Sequence, residues 1–281
     1  MSSKKFLMIH ADDAGLAWSE NKATQKGMLE GSISSMSLMV PCPWFYEMSQ
    51  FCLKHPELDY GIHLTLTGEW KTYPFNPCVP SKQIPSLVNN QGYFYSKRNQ
   101  IKDLAKAEEV YIELRMQIET ALKLGLKPSH LDSHMYTLGL RQDLIDVYLR
   151  LGEEFKLPIL LSKKLIKLTG EDPGNFLLPE AKCFESIFMA SYEIFERQGL
   201  TLFYNDLLDQ LPEGLSMLLI HPALTSEEMD QITIDHPNFG SLWRSQDADY
   251  FSSQACRDKL KKNNIELVNW KSSQFLNQMG A

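Results

Sequence analysis

The strongest constraint on the fold of this 281-residue chain is an alternation. Short apolar runs of β character recur at 6–10 (FLMIH), 35–40 (SMSLMV), 60–66 (YGIHLTL), 129–137 (SHLDSHMYT), 216–221 (SMLLIH) and 265–270 (IELVNW). Helical patterns lie between several of them. Over residues 102–124, Leu104, Ala107, Tyr111, Leu114, Ile118 and Ala121 step by three or four, which predicts a helix stopped by Gly125 and Pro128. Leu144, Val147, Leu151 and Phe155 repeat that spacing. Strands alternating with helices of this size predict βαβ units around a mainly parallel sheet, open or closed into a barrel. An α/β barrel routinely uses about 250 residues as one domain, and no internal repeat divides the chain, so a single domain over 1–281 is expected. Two stretches break the rhythm: residues 72–100, with Pro74, Pro77, Pro80 and Pro85, and residues 168–184, with GEDPGN. Both read as long loops, of the kind that shape a pocket at the C-terminal ends of strands.

Composition narrows the function classes. At 43% hydrophobic and 22% charged, the chain has an ordinary globular balance. A net charge of −7 without a basic run argues against a nucleic-acid or anionic-membrane surface. No apolar stretch approaches the ~20 residues of a membrane span, and the start is too short in apolar residues for a secretory signal. Cys42, Cys52, Cys78, Cys183 and Cys256 are odd in number and form no CxxC pair. A reduced, cytoplasmic setting is therefore expected, without disulfides or a thiolate zinc site.

In parallel α/β folds, polar residues at the C-terminal ends of strands face the site. Asp12 and Asp13 follow FLMI, His63 lies within YGIHLTLT, His130, Asp132 and His134 within SHLDSHMYT, and His221 follows MLLI. Each of these alone is weak, because a single histidine near a strand end is usually structural. Their recurrence on four strands points to a site. Imidazole and carboxylate suit Mg²⁺, Mn²⁺ or Zn²⁺, and a catalytic site needs about three protein ligands with a position left open. The polar residues of HLDSH are two apart and share a strand face, without requiring both histidines to be ligands. A helix cap after Gly15 accounts for one of the adjacent aspartates but not the other. Both are explained if one holds a metal and the other is the base toward an attacking water. His10 reads as strand core and His55 as a turn residue before Pro56; neither is assigned a role. His236 lies in the loop DHPNFG. Trp243 and Arg244, in a loop before a helix, suit stacking on a sugar or holding an anionic group, with a surface capping role as the alternative. No nucleophile elbow, phosphate loop or dinucleotide fingerprint occurs.

ADDAG, GIHLTLT, HLDSH and a late IHP, in this order, resemble the YdjC-like family of carbohydrate deacetylases, of the chitooligosaccharide deacetylase type, over roughly residues 6–270. The resemblance implies a (β/α) barrel-like fold distantly akin to NodB-type deacetylases, and removal of acetyl groups from N-acetylated sugars. It places the metal ligands on Asp13, His63 and His134 and the general base on Asp12, with Mg²⁺ the usual metal and homodimers common. On that reading His221 is the candidate general acid and Asp132 orients a histidine ligand. His130 and Asp132, with Trp243 and Arg244, are the candidate substrate contacts. Tyr136 and Ala14 stand where relatives often have His and Phe, differences that bear on pocket shape more than on the metal. A phosphoester hydrolase and a non-catalytic sugar-binding protein are the competing readings.

Overall fold

The computed structural model describes residues 4–179 and 184–272; Cys183 and part of the expected 168–184 loop lie outside the described residues. Among the described residues, seven strands form one sheet: β1 (Lys5–Ala14), β2 (Ser35–Leu38), β3 (Tyr60–Leu64), β4 (Leu131–Ser133), β5 (Ser186–Phe188), β6 (Gly214–Ile220) and β7 (Ile265–Leu267). Every pairing is parallel, in the order β4-β3-β2-β1-β6-β5, with β7 against the start of β1. Among the described residues β4 and β5 do not pair with each other, and beyond β4 there is a parallel bridge from Leu131 to Ile159, so the sheet is a half-barrel rather than a closed one. The six sequence-predicted runs each contain a strand. β5 is an addition to the expected strands; β4 and β7 are as short, but each lies inside a longer run of β character. No helix among the described residues is long and apolar enough to cross a membrane.

Alternation divides the strands between two faces. Leu7, Ile9 and Ala11 of β1, Met36 and Leu38 of β2, Ile62 and Leu64 of β3 and Leu131 of β4 join the larger apolar cluster. Met8 and the β6 residues Leu215, Met217 and Leu219 belong to a smaller cluster on the opposite side. That second side carries a polar column, because Ser35, Ser37, His63 and Asp132 alternate with the apolar positions. The register sets His10 beside Ser35 and His63 beside Asp132. Gly61 makes room for this column: a Cβ there would overlap the His130 ring.

The helix expected over 102–124 is two, Arg98–Leu104 and Ala107–Lys123. The chain is extended at Ala105 and Lys106 because competing partners satisfy the backbone. Arg141 donates to the carbonyls of Lys102 and Ala105 at 2.8 Å each, while Lys106 N donates to Ser86 Oγ at 3.0 Å. The proline-rich 72–100 segment is fastened to the second helix: Glu113 accepts from Cys78 N and Val79 N, and Glu109 from Ser86 N. Gln117 brackets Thr65 through both its backbone N–H and its carbonyl. These bonds fix the segment that follows β3, where one wall of the site begins.

Candidate active site and metal centre

In a regular strand Asp12 and Asp13 would point to opposite faces. The β1–β2 register slips between Ala11 and Ala14, and Asp13 adopts φ 66°. This bulge turns both carboxylates into one cavity. Left-handed backbone is uncommon outside glycine, though aspartate tolerates it better than most, so some strain is held at the site. Gly15 then turns the chain away at φ 100°, so tightly that a Cβ would lie 3.2 Å from Phe45 Cα. The next helix starts at Trp18 with Ala17 as its N-cap and no capping side chain, so neither aspartate is a helix cap.

Three ligand-type atoms converge beside this bulge. Asp13 Oδ1 lies 3.2 Å from His134 Nδ1 and 3.5 Å from His63 Nε2. All three atoms are within 4.8 Å of one another. Donor atoms held ~2.0–2.3 Å from one tetrahedral or octahedral ion stand ~2.8–3.8 Å apart, so the spacing fits a divalent cation. Asp13 Oδ1 is buried and finds no hydrogen-bond partner among the described residues, which leaves a lone pair directed at that point. Both rings are oriented from behind. His63 Nδ1 donates to Asp132 Oδ1 at 2.8 Å and His134 Nε2 to Glu69 Oε2 at 3.0 Å, so each opposite nitrogen faces Asp13. Burial lowers the pKa of His134, but Glu69 and Asp13 outweigh it and raise the ring to about 10. His63 is likewise raised, chiefly by Asp132 and Asp12 against its burial. Two rings that hold protons this firmly when alone sit among anionic groups and are suited to a cation.

His134 reaches the cluster from the 3₁₀ turn His134–Gly139, because β4 ends at Ser133 and not beyond. His130 does not reach it. Its ring is fully buried beneath the site, stacked on Trp270 at 4.4 Å and edge-on to His10 at 5.1 Å.

Trp243 and Arg244 lie in the first turn of the helix Ser241–Ser252 and not in a loop. Trp243 packs on Phe239 and Phe195, outside the cavity lining. Arg244 borders the cavity but is 1% exposed and committed on three sides. It donates to Asp13 Oδ2 and Glu20 Oε2 at 2.8 Å each, and to the Phe239 carbonyl at 2.7 Å. Burial pushes the Asp13 pKa up, but Arg244 and His134 outweigh that and hold it well below the usual carboxylate range. Asp132 lines the cavity floor with both oxygens occupied, one by His63 and one by His10. The structure thus brings Arg244 and Asp132 to the site as supports of other side chains, and leaves Trp243 and His130 away from the cavity.

His221 comes from the end of β6, its Nε2 3.7 Å from Asp12 Oδ2. Asp247 Oδ2 accepts from its backbone N–H at 2.9 Å. Burial lowers its pKa to about 4, so the ring is neutral near pH 7. His236 borders the cavity with Nδ1 donating to the Asn238 carbonyl. Sequence reasoning missed Glu69, which lies two residues past the GIHLTLT run, and His10, whose ring meets both Asp12 and Asp132. The cavity above these groups holds about 320 Å³, a small-molecule volume, with Leu160, Leu165, Leu168 and Met189 as its apolar wall.

The YdjC-like protein family matches residues 6–262. A Thermus thermophilus protein named carbohydrate deacetylase is 34% identical over 257 residues, covering 90% of this chain and 87% of its own. An Enterococcus faecalis protein of the same name is 28% identical, covering 97% and 99%. Among solved structures, one from Enterococcus faecalis, proposed to cleave cellobiose phosphate, superposes with TM-score 0.75 at 26% identity, covering 96% of this chain and 98% of that one. A Bacillus subtilis peptidoglycan deacetylase shares the fold at TM-score 0.50 and 13% identity, covering 98% and 91%. With the family match extending from β1 to the helix before β7, the chain belongs to the YdjC-like family.

Proposed function

We propose that this chain is a metal-dependent carbohydrate deacetylase that hydrolyses the acetamido group of an N-acetylated sugar. The observation that carries the reading is the convergence of Asp13 Oδ1, His63 Nε2 and His134 Nδ1 beside a second carboxylate, Asp12, in one cavity. The names of the curated relatives support the reaction, and the donor set supports the metal. Asp13, His63 and His134 would hold the divalent cation, with Mg²⁺ first and Zn²⁺ or Mn²⁺ as alternatives. Such a cation polarises a carbonyl and makes water more acidic.

The chain's own groups perform the proton transfers. Asp12 is not held by Arg244 and faces the cavity, so it takes the proton of the attacking water. The departing amine requires a proton, since an amide nitrogen leaves poorly as an anion. His221 rests neutral, and a cation at the neighbouring ligands depresses its pKa further. The proton it delivers is therefore the one Asp12 has just taken, passed across the 3.7 Å between Asp12 Oδ2 and His221 Nε2. An imidazolium standing ready before the reaction is not needed. The apolar wall of the cavity excludes water from this path and strengthens the charges inside it.

The test is acetate release from N-acetylglucosamine oligomers with and without a chelator, beside hydrolysis of p-nitrophenyl phosphate. Metal-restored acetate release supports the reading; phosphate release alone overturns it. Asp12→Asn should lower turnover ~10²–10⁴-fold with metal binding retained. Asp13→Asn should weaken the metal itself. Calorimetry showing these effects reversed would overturn the division of labour within the pair.

A further inference from the structure

We infer that His10 is a permanently charged imidazolium that positions Asp12 and the Asp132–His63 pair, and so acts on turnover without touching substrate or metal. The inference rests on the reading of Asp12 as general base. The ring is fully buried on β1, two residues before Asp12. Its Nε2 donates to Asp132 Oδ2 at 2.9 Å, with Asp12 Oδ1 at 3.2 Å as a second anionic contact. A nitrogen facing two carboxylates must carry a proton. Its Nδ1 faces Ser35 Oγ at 2.9 Å. That hydroxyl has one proton, which goes to Asp59 Oδ1 at 2.6 Å, so towards His10 the oxygen is an acceptor. Nδ1 must then carry a proton as well.

Both ring nitrogens donate, which makes the side chain cationic on hydrogen-bond geometry alone. It also rules His10 out as a metal ligand, although His10, His130 and Asp132 lie close enough together to suggest a second site. Burial would lower the His10 pKa, but the Asp12 and Asp132 carboxylates outweigh it and raise it to about 10.

The arrangement has a mechanical consequence. Asp132 Oδ2 is fixed by His10, so its Oδ1 is aimed at His63 Nδ1, and His63 Nε2 at the ligand cluster. Asp12 Oδ1 is held by the same cation, so its Oδ2 is the oxygen left towards His221 and the cavity. One buried charge thereby sets the direction of two carboxylates with different duties. Charge-assisted contacts of this kind hold geometry more firmly than neutral ones.

The experiment joins ¹⁵N NMR of histidine-labelled protein to kinetics of His10→Asn. In the native protein, metal-free or Mg²⁺-loaded, the His10 ring should show two protonated nitrogens at neutral pH, assigned by its loss in His10→Asn. Should that variant not fold, Ser35→Ala assigns the resonance by perturbing Nδ1 alone. A bare ring nitrogen overturns the inference. For acetate release at saturating Mg²⁺, His10→Asn should lower kcat about 10–100-fold with KM within about twofold, while the Mg²⁺ affinity falls about tenfold through His63. Unchanged kcat at saturating Mg²⁺ also overturns it. If the native enzyme releases no acetate under any metal, the reading of Asp12 as base fails separately, and the ring protonation alone then decides for or against the charged His10.

Discussion

Arg244 offers the sharpest test of how this site is held together. The guanidinium is 1% exposed and bonds two carboxylates, Asp13 and Glu20, that are themselves 1% and 0% exposed. Arg244→Met removes the cation and strands the Asp13 anion in a low-dielectric interior, while Glu20, whose pKa burial already pushes well above the usual carboxylate range, loses its hydrogen-bond donor. Removing one partner of a buried pair costs ~3–5 kcal/mol, a large share of the ~5–15 kcal/mol typical of a folded domain. Arg244→Lys keeps the charge but cannot fork to two acceptors, so a loss of ~1–3 kcal/mol is expected. The assay is urea unfolding of the metal-free protein. The double variant Arg244→Met/Glu20→Met leaves one carboxyl group fewer without its donor and should recover stability, with a coupling of ~1–3 kcal/mol. A divalent cation should also stabilise Arg244→Met more than the native protein, because Asp13 then carries uncompensated charge. A loss below ~1 kcal/mol for Arg244→Met, with an additive double variant, would refute the argument. The guanidinium would then be free to meet substrate, as the sequence alone suggested.

Glu69→Leu removes the acceptor that orients His134, and Mg²⁺ affinity by calorimetry should fall ~10–100-fold; an unchanged affinity would show that Glu69 does not set the ring. Gly61→Ala should destabilise by ~1–3 kcal/mol in thermal or urea unfolding, since its Cβ drives the His130 ring against Trp270; a neutral substitution would mean the column can shift. The His134 pKa rises from its ordinary 6.5 to about 10 in the metal-free fold. Its contribution to stability is thus full below pH 6.5 and is lost as pH climbs through about 10. Metal binding must displace that proton, so calorimetry near pH 7 in buffers of different ionisation enthalpy should show proton release, and affinity should rise with pH. Proton-neutral binding would remove His134 from the ligand set.

Much of the frame was legible before any coordinates. Periodicity of two against three or four separates strands from helices wherever the run is long, and the polar residues that end those strands, Asp12, Asp13, His63 and His221, do meet in one cavity. What periodicity carries is the contact of a residue with its layer. It carries nothing about which buried polar group meets which, and the supports of this site are of that second kind. Asp13 meets Arg244 across 231 positions and His10 meets Asp132 across 122. Adjacency misled in the same way: Trp243 stands beside Arg244 in sequence, yet a helix turns one towards the aromatic core and the other towards Asp13. The break at Ala105 was hidden because the apolar spacing continues through it, while the cause lies on Arg141 and Ser86.

The adjacent aspartates show where the two kinds of information join. Read alone, ADD demands nearby positive charge, and a metal is the economical answer. The structure divides that demand. Asp13 directs one oxygen to Arg244 and leaves the other at the ligand cluster, while Asp12 rests against His10 and faces the cavity. Fixed cations on the far sides of both carboxylates keep them aimed before any metal arrives, so a cation entering the site meets directed lone pairs and not a pair free to turn away. The bulge at Asp13 is what makes the division possible, because only a break in strand alternation lets neighbours in sequence face one cavity with different partners behind them. The same break explains why two adjacent aspartates can differ in role: the residue in the left-handed position is locked to Arg244 and suited to ligation, and its neighbour, held only at one oxygen, keeps the freedom that proton transfer requires.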